Sequence, residues 1–135
     1  TLYGRVLEPD YFEELKSLIA RLGLESRVGL MGSVPMPELR AIYPQYQIMV
    51  NMAPETIDKT VVEGMLAGVQ PVTTSGNALA IGIPTSPKDD SPKTIADYIL
   101  KLELLPIQQL QKIARDRHSL ESLIKKMGEY ITAGN

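Results

Sequence analysis

Cysteine is absent from the 135 residues, and histidine occurs once, at His118. The first absence excludes disulfide frameworks, thiolate metal sites and cysteine nucleophiles; the second excludes a multi-histidine metal centre. No excess of positive charge is present either: 14 basic residues stand against 16 acidic ones, a net charge of −2. A surface that coats nucleic acid needs a basic excess to neutralise phosphates, so no nucleic-acid partner is expected. No apolar run approaches the roughly 18–20 residues of a membrane span and no signal-peptide pattern is visible, so no transmembrane segment is expected and the expected location is cytoplasmic. Membrane association of a longer parent protein stays open. A hydrophobic fraction of 44% with 22% charged residues is that of an ordinary folded domain. At this length one core and one domain, residues 1–135, are expected. The chain opens on Thr1 rather than methionine, already inside a strand-like run, and reads as a piece cut at its N-terminus from something longer.

Strand-like and helix-like stretches alternate along the rest. Apolar runs at Thr1–Val6, Arg27–Met31, Gln47–Met52 and Pro71–Thr74 read as strands, with a short fifth at Ile81–Pro84. Gln47–Met52 is apolar enough to be buried on both faces. Asp10 followed three residues later by Glu13 has the spacing of a capping box. Behind it Leu15, Leu18, Ile19 and Leu22 recur at helical spacing, and Gly23 suits a left-handed helix end. Pro35 and Pro37 start a short helix through Leu39, Ile42 and Tyr43, broken near Pro44. Another helix carries Val61, Val62, Met65 and Leu66 and stops at Gly68. Ser91-Pro92 is a helix start, and two further helices follow from Pro106 and Ser119. Parallel strands need crossover connections, so the alternation predicts an α/β fold: a parallel sheet with helices on both faces, three-layer and Rossmann-like. Ligands of such folds sit at the carboxyl ends of the strands. The segments to inspect are therefore 4–10, 32–37, 52–59 and 74–80.

The informative stretch is NMAPETIDKTVVEGMLAGVQPVTT, Asn51 to Thr74. Glu55 lies in the loop after a strand, and Glu63, beyond a spacer of seven residues, lies inside the helix that follows. Glu63 is flanked by Val62, Gly64 and Met65, where burying a charge is costly unless it is paired. A carboxylate there suits two vicinal hydroxyls, as on a ribose. The helix start near Asp58, Lys59 and Thr60 would present unpaired amides, which favour a diphosphate. Each residue also has a plainer reading. Glu63 can be a helix glutamate paired with a lysine, and Glu55 a loop carboxylate. Asp58 can simply cap the helix. Lys59 can be a solvated lysine, and Gly32 and Ser75-Gly76-Asn77 ordinary turns. His118, just before the capping Ser119, has no acid or nucleophile pattern around it.

At these residues the chain resembles the family-4 (group 1) retaining glycosyltransferases, which have two Rossmann-like domains in the GT-B arrangement. The family's C-terminal domain carries glutamate, seven residues, then glutamate-alanine-methionine-alanine-x-glycine and a proline-valine strand. Here Glu55, Glu63-Gly64-Met65-Leu66-Ala67-Gly68 and Pro71-Val72 stand at those places. The likeness extends through YFEELKSLIARLGLESRVGLMG (Tyr11 to Gly32), the short helix ending at Tyr43, and His118-Ser119-Leu120-Glu121. The resemblance implies the donor-binding half of an enzyme that transfers a hexose from a nucleotide sugar to an acceptor with retention, the acceptor domain lying elsewhere in the same chain. It implies that Glu63 contacts the ribose and that Glu55, the catalytic candidate, reaches the transferred sugar. Thr56, Ile57, Asp58, Lys59 and Thr60 would lie against the donor. Gly4 and Arg5 stand where the family has a glycine-rich turn, with Gly32 at another strand end. No metal and no cofactor beyond the donor substrate is implied. Thr56, Ile57 and Asp58 depart from the family's frequent glycine-aromatic-glycine, and the Gly68–Pro71 link is one residue longer. The arginine and lysine that bind the diphosphate normally precede the first strand seen here. These departures support an alternative, a non-catalytic Rossmann-like nucleotide-binding or scaffolding module.

Overall fold

The computed structural model describes residues 1–53 and 57–133, with side chains to residue 130. The chain divides into two compact units, Thr1–Ala41 and Ile42–Asn135.

In the first unit helix α1 spans Pro9–Arg21. Proline occupies its first turn, where a missing N–H costs nothing and the fixed φ is already helical. The helix therefore starts ahead of the expected Asp10–Glu13 capping box. Its N-cap is Glu8, which makes no side-chain cap, and Asp10 lies within the first turn. Ile19 faces inward and is buried. Gly23, at φ +63°, closes the helix in the left-handed conformation expected of it. The two strands expected here shrink to one parallel bridge between Leu2 and Leu30. Leu2 N donates to Gly29 O at 2.8 Å and Gly4 N to Gly32 O at 2.9 Å. Glycines at 4, 29 and 32 leave little side chain to pack along such a pair, which shortens it. Helix α2, Met36–Ile42, follows Pro35 and runs to the end of this unit; the second unit opens where Pro44 tightens the chain into a 3-10 turn at Tyr43–Gln45.

In the second unit strand β1 (Ile48–Asn51) pairs in parallel with β2 (Gln70–Thr73), Asn51 opposite Thr73. The crossover that a parallel pair requires is helix α3, Lys59–Leu66. β2 is wholly buried, whereas β1 is only partly covered and Val50 is exposed, so β1 is not the doubly buried strand its composition suggested. α3 packs close to β1 because position 64 is glycine: a Cβ there would stand 2.8 Å from Met49 Cε. Helix α4, Ser75–Ile81, occupies the stretch expected to be a loop and takes in Ile81, while 82–84, the rest of the expected fifth strand, form no strand. Thr74 caps it by accepting from Asn77 N at 3.3 Å, and Gly82, at φ +95°, ends it. Ser91 caps α5 (Pro92–Lys101) as expected; α6 (Ile107–His118) and α7 (Leu120–Ala133) complete the unit. The core joins Val61 and Met65 of α3, Ala78 and Ile81 of α4, Ile83, and Leu110 and Ala114 of α6. The fold class is the expected one: mixed α/β with parallel strands, of the Rossmann-like kind that forms half of a GT-B architecture. No helix among the described residues is long and apolar enough to cross a membrane.

Candidate functional site

The carboxyl ends of β1 and β2 carry a polar network. Asn51, the last residue of β1, donates from Nδ2 to Asp58 Oδ2 at 2.7 Å and accepts from Ala53 N at 3.0 Å through Oδ1. Asp58 Oδ1 accepts from Thr60 N at 2.8 Å, which makes Asp58 the N-cap of α3. From the other side, Asn77 Nδ2 donates to Ala53 O at 2.7 Å and Thr74 Oγ1 approaches the same carbonyl at 3.4 Å. Asn77 is buried, so its amide is held rather than exchanged with water. Asn51 and Asn77 thus pin the loop between β1 and α3 at residue 53, and Asn51 pins it again at Asp58. Burial pushes the Asp58 carboxyl up, but the bonds from Asn51 and Thr60 outweigh it and hold the group below the usual aspartate value.

One turn into α3 lies Glu63, its side chain 22% exposed. Its partner is Lys59, four residues earlier, with Nζ 3.5 Å from Oε1; the lysine side chain is 83% exposed. An ion pair with one end in water is worth about 0–1 kcal/mol, so Glu63 is held loosely. Tyr43 flanks the same helix. It is buried, and its hydroxyl has no hydrogen-bond partner among the described residues. Burial, then the negative charges of Glu63 and Asp58, raise its pKa and keep its proton on.

The sequence-predicted residues fall into two groups. Asp58, Lys59, Thr60 and Glu63 gather around the start of α3 in the second unit, beside Ile57, which is exposed. Gly4, Arg5 and Gly32 gather in the first unit, along a mostly apolar groove of about 660 Å³ also lined by Tyr11 and Phe12. Glu55 and Thr56 lie outside the described residues. At α3 the amide of Thr60 is taken by the Asp58 side chain, while those of Val61 and Val62 bond to Asp58 O at 3.0 and 3.4 Å. The capping reading of Asp58 therefore holds, and the helix start is already capped by a carboxylate. His118 Nε2 lies 3.2 Å from Ile81 O, a contact that ties α6 to the end of α4. Among the described residues no three His, Cys, Asp or Glu side chains converge as a metal site would require. The sequence reading offers no site role for Asn51 or Tyr43 and takes Asn77 only as part of a Ser75-Gly76-Asn77 turn. The signal for Asn51 was a polar residue closing an apolar strand, which must find partners when that end is covered.

The chain matches no protein-family profile and no curated protein sequence. Its fold does match crystal structures of HepE from Anabaena. The complex with UDP is 27% identical with a TM-score of 0.71, and the complex with UDP-glucose 26% identical with a TM-score of 0.72, each over 98% of this chain. The complex with UDP and glucose, 23% identical with a TM-score of 0.75, adds a likeness of fold. The chain spans about 40% of the length of HepE.

Proposed function

We propose that this chain is the donor-binding part of a glycosyltransferase that moves a hexose from a uridine diphosphate sugar to an acceptor, with retention at the anomeric carbon. The observation that carries the reading is the likeness, over nearly the whole chain, to HepE bound to UDP and to UDP-glucose. The placement of Glu63 agrees with it: a half-buried carboxylate with one loose partner, next to a pinned loop at the carboxyl end of a parallel strand. In this reading the Glu63 carboxylate accepts from the two ribose hydroxyls, and Lys59 turns from Glu63 toward the diphosphate. Glu55 meets hydroxyls of the sugar, and Thr56, Ile57 and Thr60 lie beside the donor. Asp58 serves by holding the loop and the helix start in register rather than by touching phosphate. The reaction then rests on positioning and on stabilising the departing diphosphate, with no metal or further cofactor asked of this chain. In this reading the acceptor site and the main diphosphate cations belong to other parts of a longer protein.

A second reading, a nucleotide-binding or scaffolding module without catalysis, is favoured by one observation: Asp58 already fills the cap where a phosphate would otherwise sit. Calorimetric titration of UDP and UDP-glucose into the intact protein and its Glu63→Ala variant tests the main reading. The expected outcome is saturable binding of both ligands, weakened at least tenfold in the variant, the worth of hydrogen bonds to a charged group. Absence of binding, or equal binding by both proteins, would overturn it. Binding without glucosyl transfer to any acceptor would leave the second reading.

A further inference from the structure

His118 is the one histidine of the chain, and the reading above gives it no part. It closes α6 and reaches across to α4, where its Nε2 lies 3.2 Å from Ile81 O. A carbonyl oxygen only accepts, so the imidazole carries a proton on Nε2 and donates it. Ile81 is fully buried, at 0% exposure, and its carbonyl stands in the last turn of α4, where no intrahelical N–H serves it. Water does not reach that oxygen, so His118 satisfies an acceptor that would otherwise be sealed in unpaired. The opposite end of α4 holds the loop of the candidate site. Asn77 Nδ2 donates to Ala53 O at 2.7 Å, and its backbone N–H donates at 3.3 Å to Thr74 Oγ1, which approaches the same carbonyl. Between these ends α4 has only seven residues, about 10 Å of helix, and a helix that short has no stability of its own. Ala78 and Ile81 bury one side of it in the core with α3 and α6, so contacts alone set its place.

We infer that His118 is a positioning residue for the loop between β1 and α3: by donating to Ile81 O it fixes the far end of α4, and α4 in turn holds Ala53 O through Asn77. The consequence for nucleotide binding rests on the proposed role of that loop; the consequence for the placing of Ala53 does not. Without the donor, the end of α4 must open until water reaches Ile81 O. A two-turn rod that tilts at one end carries its other end with it, and the 2.7 Å bond to Ala53 O is the contact it strains.

The test compares the intact wild type with His118→Leu, which fills space without a donor, and with His118→Gln, whose amide nitrogen can stand near the place of Nε2. Asn77→Ala and the double variant, His118→Leu with Asn77→Ala, complete the set. Hydrogen exchange at the amides of Ala53 and Thr60, both bonded within the loop, reads the loop without ligand; UDP titration reads the site, and melting temperature the fold. His118→Leu should exchange both amides about two- to tenfold faster and raise the Kd for UDP by a similar factor, the worth of one neutral hydrogen bond. His118→Gln should restore both. In the Asn77→Ala background His118→Leu should still lower the melting temperature but change neither loop exchange nor Kd further, because the connection is already cut. A lower melting temperature with loop exchange and Kd as in the wild type would overturn the inference, and so would additive losses in the double variant. If the wild type does not bind UDP, the functional reading fails and loop exchange alone decides the inference, faster in His118→Leu upholding it and unchanged overturning it. His118→Asn, whose shorter amide falls short of Ile81 O, replaces His118→Leu if that variant does not fold.

Discussion

Removing the Asp58 carboxylate should destabilise the second unit by about 2–3 kcal/mol at neutral pH. Two interactions set that figure. Loss of an N-cap costs about 0.5–2 kcal/mol, and loss of a hydrogen bond to a charged group about 1.5–3 kcal/mol. Asp58 is only half-buried, so water replaces part of each bond and the sum falls toward its lower end. The informative comparison is Asp58→Ala with Asp58→Asn. Asparagine caps as well as aspartate does, but its single oxygen cannot serve both Thr60 N and Asn51 Nδ2. Asn51 cannot turn its amide to help, because its Oδ1 is held by Ala53 N. Asp58→Asn should therefore cost about 1 kcal/mol, between wild type and alanine. Urea unfolding followed by far-ultraviolet circular dichroism measures all three. The pH dependence adds a check of sign. The folded pKa of Asp58 lies below its ordinary value of 3.8, so its contribution is complete above that value and fades as pH falls through the lower, folded pKa. The gap between wild type and Asp58→Ala should thus be full at pH 7 and narrow as pH falls below about 4. An alanine variant within about 0.5 kcal/mol of wild type, or an asparagine variant no better than alanine, would refute the reasoning.

Other predictions follow from the same contacts. Asn77→Ala strips the 2.7 Å bond from Ala53 O and leaves that carbonyl with the 3.4 Å approach of Thr74, so a loss of about 1–3 kcal/mol is expected, read as a lower urea midpoint at unchanged slope. Gly68→Ala must hold φ +87° and press its Cβ to 3.0 Å from Ile107 Cγ2; the left-handed conformation alone costs about 1–2 kcal/mol, and a melting temperature within a degree of wild type would contradict it.

Much of the second unit was legible because its periods are strong. Val61, Val62 and Met65 mark the inner face of α3, Gly68 its end, and Ser91-Pro92 the start of α5, and each signal is local. The misreadings came where tertiary context decides. Ser75-Gly76-Asn77 has turn chemistry, but the Thr74 hydroxyl converts it into a capped first turn and Ala78, Leu79, Ala80 and Ile81 extend the helix. The capping box at Asp10–Glu13 lost to Pro9, whose ring already fixes the first turn. Apolarity alone predicts burial of β1 on both faces, but composition does not tell how much of a strand its neighbours cover. At the site, the spacing of Glu55 and Glu63 pointed to the segment in which Asn51, Asp58 and Thr60 form a polar network. The roles of Asn51 and Asn77 stayed hidden, because what distinguishes them is their partners across 7 to 24 residues of chain.

The central claim, that Glu63 receives the ribose of a bound nucleotide, is tested most directly by a crystal structure of the intact protein with UDP-glucose. The account predicts both ribose hydroxyls within about 2.6–3.2 Å of the Glu63 carboxylate oxygens, and the Lys59–Glu63 pair opened from 3.5 Å. A nucleotide bound elsewhere, with that pair still closed over Glu63, would contradict it.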